Sequence, residues 1–588
     1  MGANSTRTVS KLFFKLLPVQ IVLSAIGSIN GIVSSLFASN AVGVEAVSAI
    51  GLFSPFSMVI TTLAVVFAVG SQMVCATYMG KNELDNTQRV FSLDLVITAV
   101  SAVVISVFMV LFVIFSGARL LTGDEVVIRY FNQYMLGQVI GVLPLMLGQQ
   151  CATFLSLENM MKRITVASVV YIIFNVILNF VFLWVLKMEA LGLAIAASLG
   201  MWIYFGVQAE HFLSGRSVYK LKLVKGMFKE LKEVLKIGSH GALVNIYMIV
   251  RTSIVNALMV KYAGSVGVSA FTAANTLLGF FWAIPAGMVS VSRMLMSVYT
   301  GEQDRESLKA NMRTALYKCV PIMMGIAVVI ILCGDIFTRI YFNDPTSEVY
   351  RLTLWGYRIL PFAMPLSVIC NHFVCYGQTS HKEVLINVVS VSDGLIGVAL
   401  FSIILTPMIG LNGIYIANVI NGILSILIIV VYSIIRNRKF PSNLDELMVI
   451  PKDFGASEDD RIDVAINRME EVVNISERIT DFCLKKGVDT RRANLSGLFM
   501  EEMTGNVVDH GFTKDNKKHT IDIRVVYKDK KLVLRIKDDC IPFDPKSRSE
   551  IMDPEDITKN IGIRMVYKLA EKIEYQNILG LNVLTISV

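Results

Sequence analysis

Residues 90–116 have the sequence VFSLDLVITAVSAVVISVFMVLFVIFS, in which Asp94 is the one charged side chain. A helix needs about 20 mostly apolar residues to cross the hydrocarbon core of a bilayer. Similar runs recur as far as residue 435, and 17% of the 588 residues are charged, whereas about a quarter is usual in a soluble domain. The sequence therefore predicts a mainly α, multi-pass protein of the lipid bilayer.

The apolar runs form two similar sets of six predicted transmembrane helices. They lie near 12–38, 47–79, 90–116, 126–157, 163–187 and 190–212, and then near 237–261, 266–299, 312–333, 348–377, 383–406 and 411–435. Three short stretches recur at one offset of 221 residues: GVEAVSA from Gly43 and GSVGVSA from Gly264, Tyr78–Gly80 and Tyr299–Gly301, GLAIA from Gly192 and GIYIA from Gly413. Six helices per repeat keep both copies parallel. We therefore expect two bundles, 1–213 and 237–437, with a pathway between them.

Basic residues are concentrated in alternate loops. The loop 214–236 holds seven lysines and arginines, whereas the loops on the other side hold at most one each, such as Arg119 and Lys187. The positive-inside rule then predicts a cell (inner) membrane protein with both termini in the cytoplasm. Because the net charge of +8 is spread through these loops, we interpret it as a sign of topology and expect no nucleic-acid partner.

The apolar runs end near Asn437. Residues 438–458 are polar, contain Pro441 and Pro451, and are predicted to form a linker. Residues 459–588 are predicted to form a separate cytosolic α+β domain. Its predicted elements are a helix through Ile462, Ala465, Ile466, Met469, Val473 and Ile479, a helix through Leu495, Leu498 and Phe499, strands through Ile521–Val525 and Leu532–Ile536, a helix near 563–571, and two strands around Gly580.

The paired repeat, Pro18 in the first helix and the short Gly-rich loop into the second helix resemble the MATE (multidrug and toxic compound extrusion) family over about residues 10–437. The resemblance implies that a small amphipathic or cationic substrate is exchanged for Na⁺ or H⁺ through a cavity between the bundles. Many members carry a first-helix Asp for cation coupling. Ser34 occupies that position here, which puts the first-helix coupling site in doubt.

Polar side chains within the predicted helices are candidates for the transport cavity. Arg251 and Asp393 lie mid-way along the seventh and eleventh helices, where a charge costs a few kcal/mol unless it has a cavity or a partner. Arg251 is predicted to line the cavity or to pair with Asp393. That pair would either hold helices together or couple transport to an ion. The amide candidates, which either line the cavity or bond neighbouring helices, are Gln72, Asn175, Asn179 and Asn275.

Three polar residues of the C-terminal segment, Glu502, Asn506 and His510, recur every four residues and so share one helix face. An amide oxygen there suits Mg²⁺, and a carboxylate can act as a general base. A predicted strand ends at Asp538, where a carboxylate can accept the exocyclic amine of adenine, and Gly562 precedes the next helix.

In this order the motifs resemble the GHKL ATPase superfamily, in particular its anti-sigma-factor serine kinases, over about 462–588. The resemblance implies ATP and Mg²⁺ as cofactors, with Asn506 holding Mg²⁺ and Glu502 acting as the base. It also implies that Asp538 reads adenine and Gly562 opens a phosphate-side turn, and it suggests an anti-sigma-antagonist-like protein as a partner. Cys540 stands where a glycine is usual, which puts kinase turnover in doubt.

The leading interpretation is an ion-coupled efflux transporter with a nucleotide-binding regulatory domain. One alternative is a membrane receptor-kinase, in which the bundle senses a ligand and the C-terminal domain phosphorylates a serine of a partner protein. Another is a flippase for a lipid-linked precursor. The sequence contains no GxxxxGK[ST] loop, so we do not expect ATP to power transport.

Overall fold

The computed structural model describes residues 8–25, 37, 42, 44–121, 124–215, 217–220, 224–457, 459–466, 468, 470–512, 519–528, 530–542, 544 and 561–588. Ser34 and Met469 lie outside this described part.

A long series of helices accounts for the chain as far as Asn437. We number them α1 (Thr8–Ala25), α2 (Val44–Lys81), α3 (Leu84–Ile114), α4 (Glu125–Leu157), α5 (Met161–Val185), α6 (Glu189–Leu213), α7 and α8 (the two parts of Leu231–Gly301), α9 (Arg305–Leu332), α10 (Glu348–Thr379), α11 (Glu383–Ile409) and α12 (Leu411–Asn437). The break between α7 and α8 falls at Gly264, whose φ of 57° and ψ of −158° are not helical.

Within the described residues, eleven helices are long and apolar enough to cross a membrane. The membrane-spanning prediction is confirmed, but the count of twelve is approximate because α7 does not meet this standard. Helix α7 carries Lys236, Arg251 and Lys261. It nevertheless packs closely on α2, since a Cβ atom on Gly238 would collide with the backbone of Val66.

One end of the bundle carries Lys81, Lys162, Arg305 and Arg436, and we call it the basic face. Here the two repeats touch at Gly80 of α2 and Gly301 of α8. A Cβ atom on Gly80 would lie 3.0 Å from the Cα of Gly301, and one on Gly301 would lie 3.1 Å from the Cα of Gly80. Only glycine permits two helix backbones to approach this closely. The repeats are therefore closed against each other at the basic face.

Residues 461–588 form a five-stranded antiparallel sheet with helices on one side. The strands are β1 (Arg461–Ile466), β2 (Ile521–Lys528), β3 (Lys531–Asp538), β4 (Lys572–Ile578) and β5 (Leu581–Ser587), in the order β1-β2-β3-β5-β4. The helices are α13 (Glu470–Lys485), α14 (Thr490–Asn506) and α15 (Ile561–Leu569). Alternate residues of β2 and β3, such as Ile521 and Leu534, are buried with Phe499 and Ile479. The opposite face of the sheet is polar.

The predicted helix from Ile462 to Ile479 is wrong in its first part, because Ile462, Ala465 and Ile466 lie in β1. Val473 and Ile479 lie in α13, and the predicted helix through Leu495, Leu498 and Phe499 is confirmed as α14. Ile462 and Ile466 belong to an alternating apolar pattern, and β1 pairs with β2 along its whole length, Ile466 opposite Ile521. The alternating apolar residues and the pairing with β2 therefore make this segment a strand, although its apolar residues also fit a helical spacing. The predicted helix near 563–571 and the hairpin at Gly580, where φ is 84°, are confirmed.

The segment between the two parts of the chain is held against the basic face. Residues Leu444–Met448 form a short helix capped by Asn443. Asp445 of this helix lies 2.9 Å from Arg305 Nε and 3.0 Å from Lys309 Nζ. The C-terminal domain is thereby attached to the membrane bundle by an ordered segment.

Candidate functional sites

The structure brings Glu502, Asn506 and Gly562 together. Asn506 Nδ2 donates to the carbonyl oxygen of Glu502 at 2.7 Å, which leaves the amide oxygen as a possible oxygen ligand for a hard cation. The Glu502 carboxylate lies against Gly562, where any Cβ would collide with it. Gly562 is in the first turn of α15. Helix N-termini attract anions, so this arrangement suits a phosphate beside a metal-holding amide.

Asp538 lies at the end of β3 and is almost fully buried. Its Oδ1 accepts hydrogen bonds from Asn582 Nδ2 at 2.7 Å and from the backbone N–H of Cys540 at 3.0 Å. Asn582 in turn accepts from the Tyr575 hydroxyl at 2.8 Å. Burial raises the pKa of Asp538, although the bonds from Asn582 and Cys540 oppose this. The residue predicted to bind adenine is thus a buried acceptor that already accepts a hydrogen bond from Asn582.

The two halves of this candidate nucleotide site are neighbours. Helix α14 continues into a π-helical turn, Val507–Gly511, and a Cβ atom on Gly511 would lie 3.0 Å from Cys540 Sγ. The residues after Asn506 therefore contact the residues after Asp538. The side chain of Cys540 is buried at this junction, so it fills space where a glycine would leave room.

In the second repeat, Arg251 and Asp393 also come together. Arg251 Nη1 lies 3.3 Å from the carbonyl oxygen of Asp393. The Asp393 carboxylate accepts from Asn421 Nδ2 at 2.9 Å and lies 3.5 Å from Ser425 Oγ. Asp393 occupies a π-helical turn, Ser392–Ile396, within α11. Three helices of one bundle, α7, α11 and α12, are therefore linked by a buried polar network.

The amide candidates of the membrane part are separate from this network. Asn179 Nδ2 donates to the carbonyl oxygen of Asn175 at 2.8 Å and lies 3.1 Å from its Oδ1. Both asparagines are buried on α5 in the first bundle. Gln72 is buried on α2, and Asn275 is partly buried on α8.

Sequence reasoning missed an acidic loop that joins the two parts of the chain. Residues 301–306 read GEQDRE and run from the last residue of α8 into the first turn of α9 on the basic face. Glu306 Oε1 lies 3.2 Å from Arg461 Nη2 of β1, and Glu302 and Asp304 also contact the polar side of the sheet. The sequence did contain a sign of this contact, namely three acidic residues, Glu302, Asp304 and Glu306, in a segment where the positive-inside rule predicts basic residues.

Comparisons with known proteins agree with these two parts. The MatE family model matches residues 20–181 and 242–395. The chain belongs to the MatE family. A second model, described as a histidine kinase-like ATPase domain, matches residues 466–588. The predicted resemblances of both parts are thereby confirmed, whereas a comparison with curated proteins finds no match.

Solved structures resemble the membrane part at low sequence identity. An outward-facing multidrug resistance MATE family transporter of the MOP superfamily has a TM-score of 0.67 at 19% identity and covers 72% of this chain and 95% of its own. A mutant of the Vibrio cholerae MATE transporter VcmN has a TM-score of 0.67 at 17% sequence identity, and the match covers 74% of this chain and 99% of that structure. A Pyrococcus furiosus MOP superfamily transporter has a TM-score of 0.65 at 19% sequence identity, and the match covers 71% of this chain and 94% of that structure. The MatE member described here therefore has the fold of MATE transporters.

Proposed function

We propose that this MatE protein is a secondary active efflux transporter of small amphipathic or cationic compounds. The observation that carries the proposal is the contact of two parallel six-helix repeats at Gly80 and Gly301, related by the 221-residue offset. Two such halves that close at one face can alternate access to a site between them. Solved transporters of the same fold support this reading.

The basic face is proposed to be cytoplasmic in the cell (inner) membrane, because its loops carry the lysines and arginines. The coupling ion is proposed to be Na⁺ or H⁺. The residues proposed to line the transport cavity are Arg251, Asp393, Gln72, Asn175, Asn179 and Asn275.

The C-terminal domain is proposed to bind ATP with Mg²⁺ and to regulate transport. Asn506 would hold the metal, and Asp538 would accept the adenine amine. Glu502 and Gly562 would lie at the phosphates. The bound metal would neutralise phosphate charge. A serine kinase activity toward an anti-sigma-antagonist-like partner would additionally require Glu502 as a base.

Vesicles that contain the purified protein are expected to take up a cationic dye when a sodium or proton gradient is imposed in the presence of Mg²⁺ and a non-hydrolysable ATP analogue. ATP hydrolysis is not required, because a gradient supplies the free energy in a secondary transporter. Dye fluorescence measures the uptake, and vesicles with the gradient collapsed by an ionophore are the control. Strict dependence on ATP hydrolysis would refute the transporter proposal, and absence of any uptake would favour the receptor-kinase alternative.

Asp538→Asn is expected to weaken ATP binding by about 10- to 150-fold, since a hydrogen bond to a charged group contributes about 1.5–3 kcal/mol. Because burial raises the pKa of Asp538, acid protonates it at a higher pH than an ordinary carboxylate, and affinity should fall as the pH falls. A fluorescent ATP analogue measures both effects. Asp481→Asn, at an exposed position of α13, is the matched control. Equal affinity of the two variants would remove Asp538 from the site.

A further inference from the structure

The C-terminal domain is docked on the second repeat through buried charges. Lys537 Nζ lies 2.6 Å from Glu302 Oε2, and Arg524 Nη1 lies 2.5 Å from Asp304 Oδ1. The exposed fractions of the acidic side chains are 2% for Glu302 and 5% for Asp304. A buried carboxylate is stable only with such partners. The end of α8 and the loop that follows it are therefore attached to β2 and β3.

The same domain also contacts the first repeat. Lys11 Nζ of α1 lies 2.5 Å from Asp539 Oδ2, just after β3. Asn82, after α2, donates a hydrogen bond to Glu574 of β4. Asn82 and Gln303 are equivalent positions in the 221-residue repeat, so the domain is attached to corresponding loops of both halves.

An apolar anchor adds to these polar contacts. Ile578 and Leu579 of the β4–β5 hairpin are buried in the same apolar cluster as residues of the membrane helices. Gly580, at the tip of this hairpin, packs so closely on Asn159 between α4 and α5 that a Cβ atom would collide with it. The hairpin therefore lies on the first repeat, whereas the charged strands lie on the second.

We propose that the docked C-terminal domain is a clamp that holds the cytoplasmic side of the transporter closed, and that nucleotide binding at Asp538 releases it. The inference rests on the proposed function and specifies its regulation. Opening of the basic face requires α2 and α8 to separate at Gly80 and Gly301. A domain bound to the loops after both helices resists that separation, because one set of contacts must break first.

The connection to the nucleotide site runs through adjacent residues. Asp538 is the predicted adenine reader, and its neighbour Asp539 holds Lys11 of α1. Asp538 also accepts from Asn582, which follows the hairpin tip in β5. Asn582 and the N–H of Cys540 both bond to Oδ1, so an adenine amine that donates to this carboxylate must enter directly beside Asn582. Nucleotide binding thereby disturbs both the hairpin and the strand end that contact the first repeat.

The interface between the sheet and the basic face is only partly filled by side chains. A cavity of about 830 Å³ lies between the polar face of the sheet and the basic face, lined by side chains such as Tyr299, Asp463 and Asp522. Burial alone would raise the pKa of Asp304, but the charges of Arg524 and Lys537 hold it well below its ordinary value. The ion pair is therefore intact at neutral and mildly acidic pH and is lost only in strong acid. The Asp304–Arg524 pair itself therefore does not respond to pH changes near neutrality.

The clamp is tested by the distance between spin labels at Lys81→Cys and Gln303→Cys in the full-length protein. Both positions are exposed and flank the glycine contact, and all native cysteines are buried except the partly buried Cys333, which is replaced by serine. In lipid nanodiscs without nucleotide we expect one short distance. The combined substitution R524Q/K537Q should increase the long-distance fraction at least about tenfold, because it leaves Glu302 and Asp304 without these partners.

Two controls separate loss of the clamp from loss of the fold. R524K/K537R keeps both charges and should remain closed. K531Q makes the same change at the exposed start of β3 and should match the unmodified protein. If R524Q/K537Q gives the same distances as K531Q, the clamp is refuted.

Nucleotide release is tested with Mg²⁺-ATP on the same labelled proteins. The long distance should appear in the protein with Asp538 and stay absent in Asp538→Asn. Binding of a fluorescent ATP analogue is measured in parallel. A protein that binds the analogue without any change in distance refutes nucleotide release. A protein that does not bind the analogue refutes the nucleotide-binding part of the proposed function, while the R524Q/K537Q result still decides whether the clamp exists.

Discussion

Gly301→Ala is expected to lower gradient-driven export by at least about fivefold. The new methyl group would collide with the carbonyl oxygen of Thr77 and lie 3.1 Å from the Cα of Gly80. Overpacking of this kind costs about 1–3 kcal/mol, or about 5- to 150-fold in the population of the closed state. An alternating-access carrier must return to that state in every cycle. Dye export from vesicles and the spin-label distance across the basic face measure the two effects.

Gly279→Ala is the matched control, because it makes the same change in the same helix at a position with no heavy atom within 4 Å. Alanine favours a helix more than glycine does, so neither substitution weakens α8 itself. Gly80→Ala should reproduce the defect from the other side of the contact. If Gly301→Ala exports as fast as Gly279→Ala, closure at the glycine pair is not part of the transport cycle.

The membrane fold could be predicted largely from two one-dimensional patterns, apolar run length and the repeat offset. The length of an apolar run is a local property, and the repeat offset is a comparison of the sequence with itself. Both can therefore be recognised without knowledge of tertiary contacts. The weak point was α7, where Arg251 and three lysines lower the hydropathy. In the C-terminal domain, β1 was misread as helix because Ile462, Ala465 and Ile466 fit a helical spacing when the pairing with β2 is ignored.

The docking of the two parts could not be predicted in the same way. It depends on pairs such as Glu302 with Lys537, which are 235 residues apart, and no periodicity links them. The acidic composition of the loop 301–306 was the available sign. The proximity of Arg251 and Asp393 was anticipated, since two isolated charges in lipid need partners. Their geometry was not, because a π-helical turn presents the backbone carbonyl of Asp393 to the guanidinium.

Arg251→Met is expected to destabilise the protein by about 1.5–3 kcal/mol, the usual contribution of a hydrogen bond that involves a charged group, because the guanidinium donates to the carbonyl oxygen of Asp393. Without the guanidinium, the Asp393 carboxylate keeps its bonds to Asn421 and Ser425 but loses its compensating charge. Thermal unfolding of the purified protein in detergent measures the loss.

Arg251→Met combined with Asp393→Asn should recover most of that stability, because an asparagine oxygen still accepts from Asn421 while the uncompensated charge is gone. The double-mutant cycle isolates the coupling between the two side chains.

Asp393→Asn alone distinguishes the two predicted roles of the pair. If the network only holds α7, α11 and α12 together, export by this variant keeps its dependence on pH. If Asp393 carries the coupling ion, the variant unfolds normally but a proton or sodium gradient no longer drives export, and the network belongs to the transport cycle.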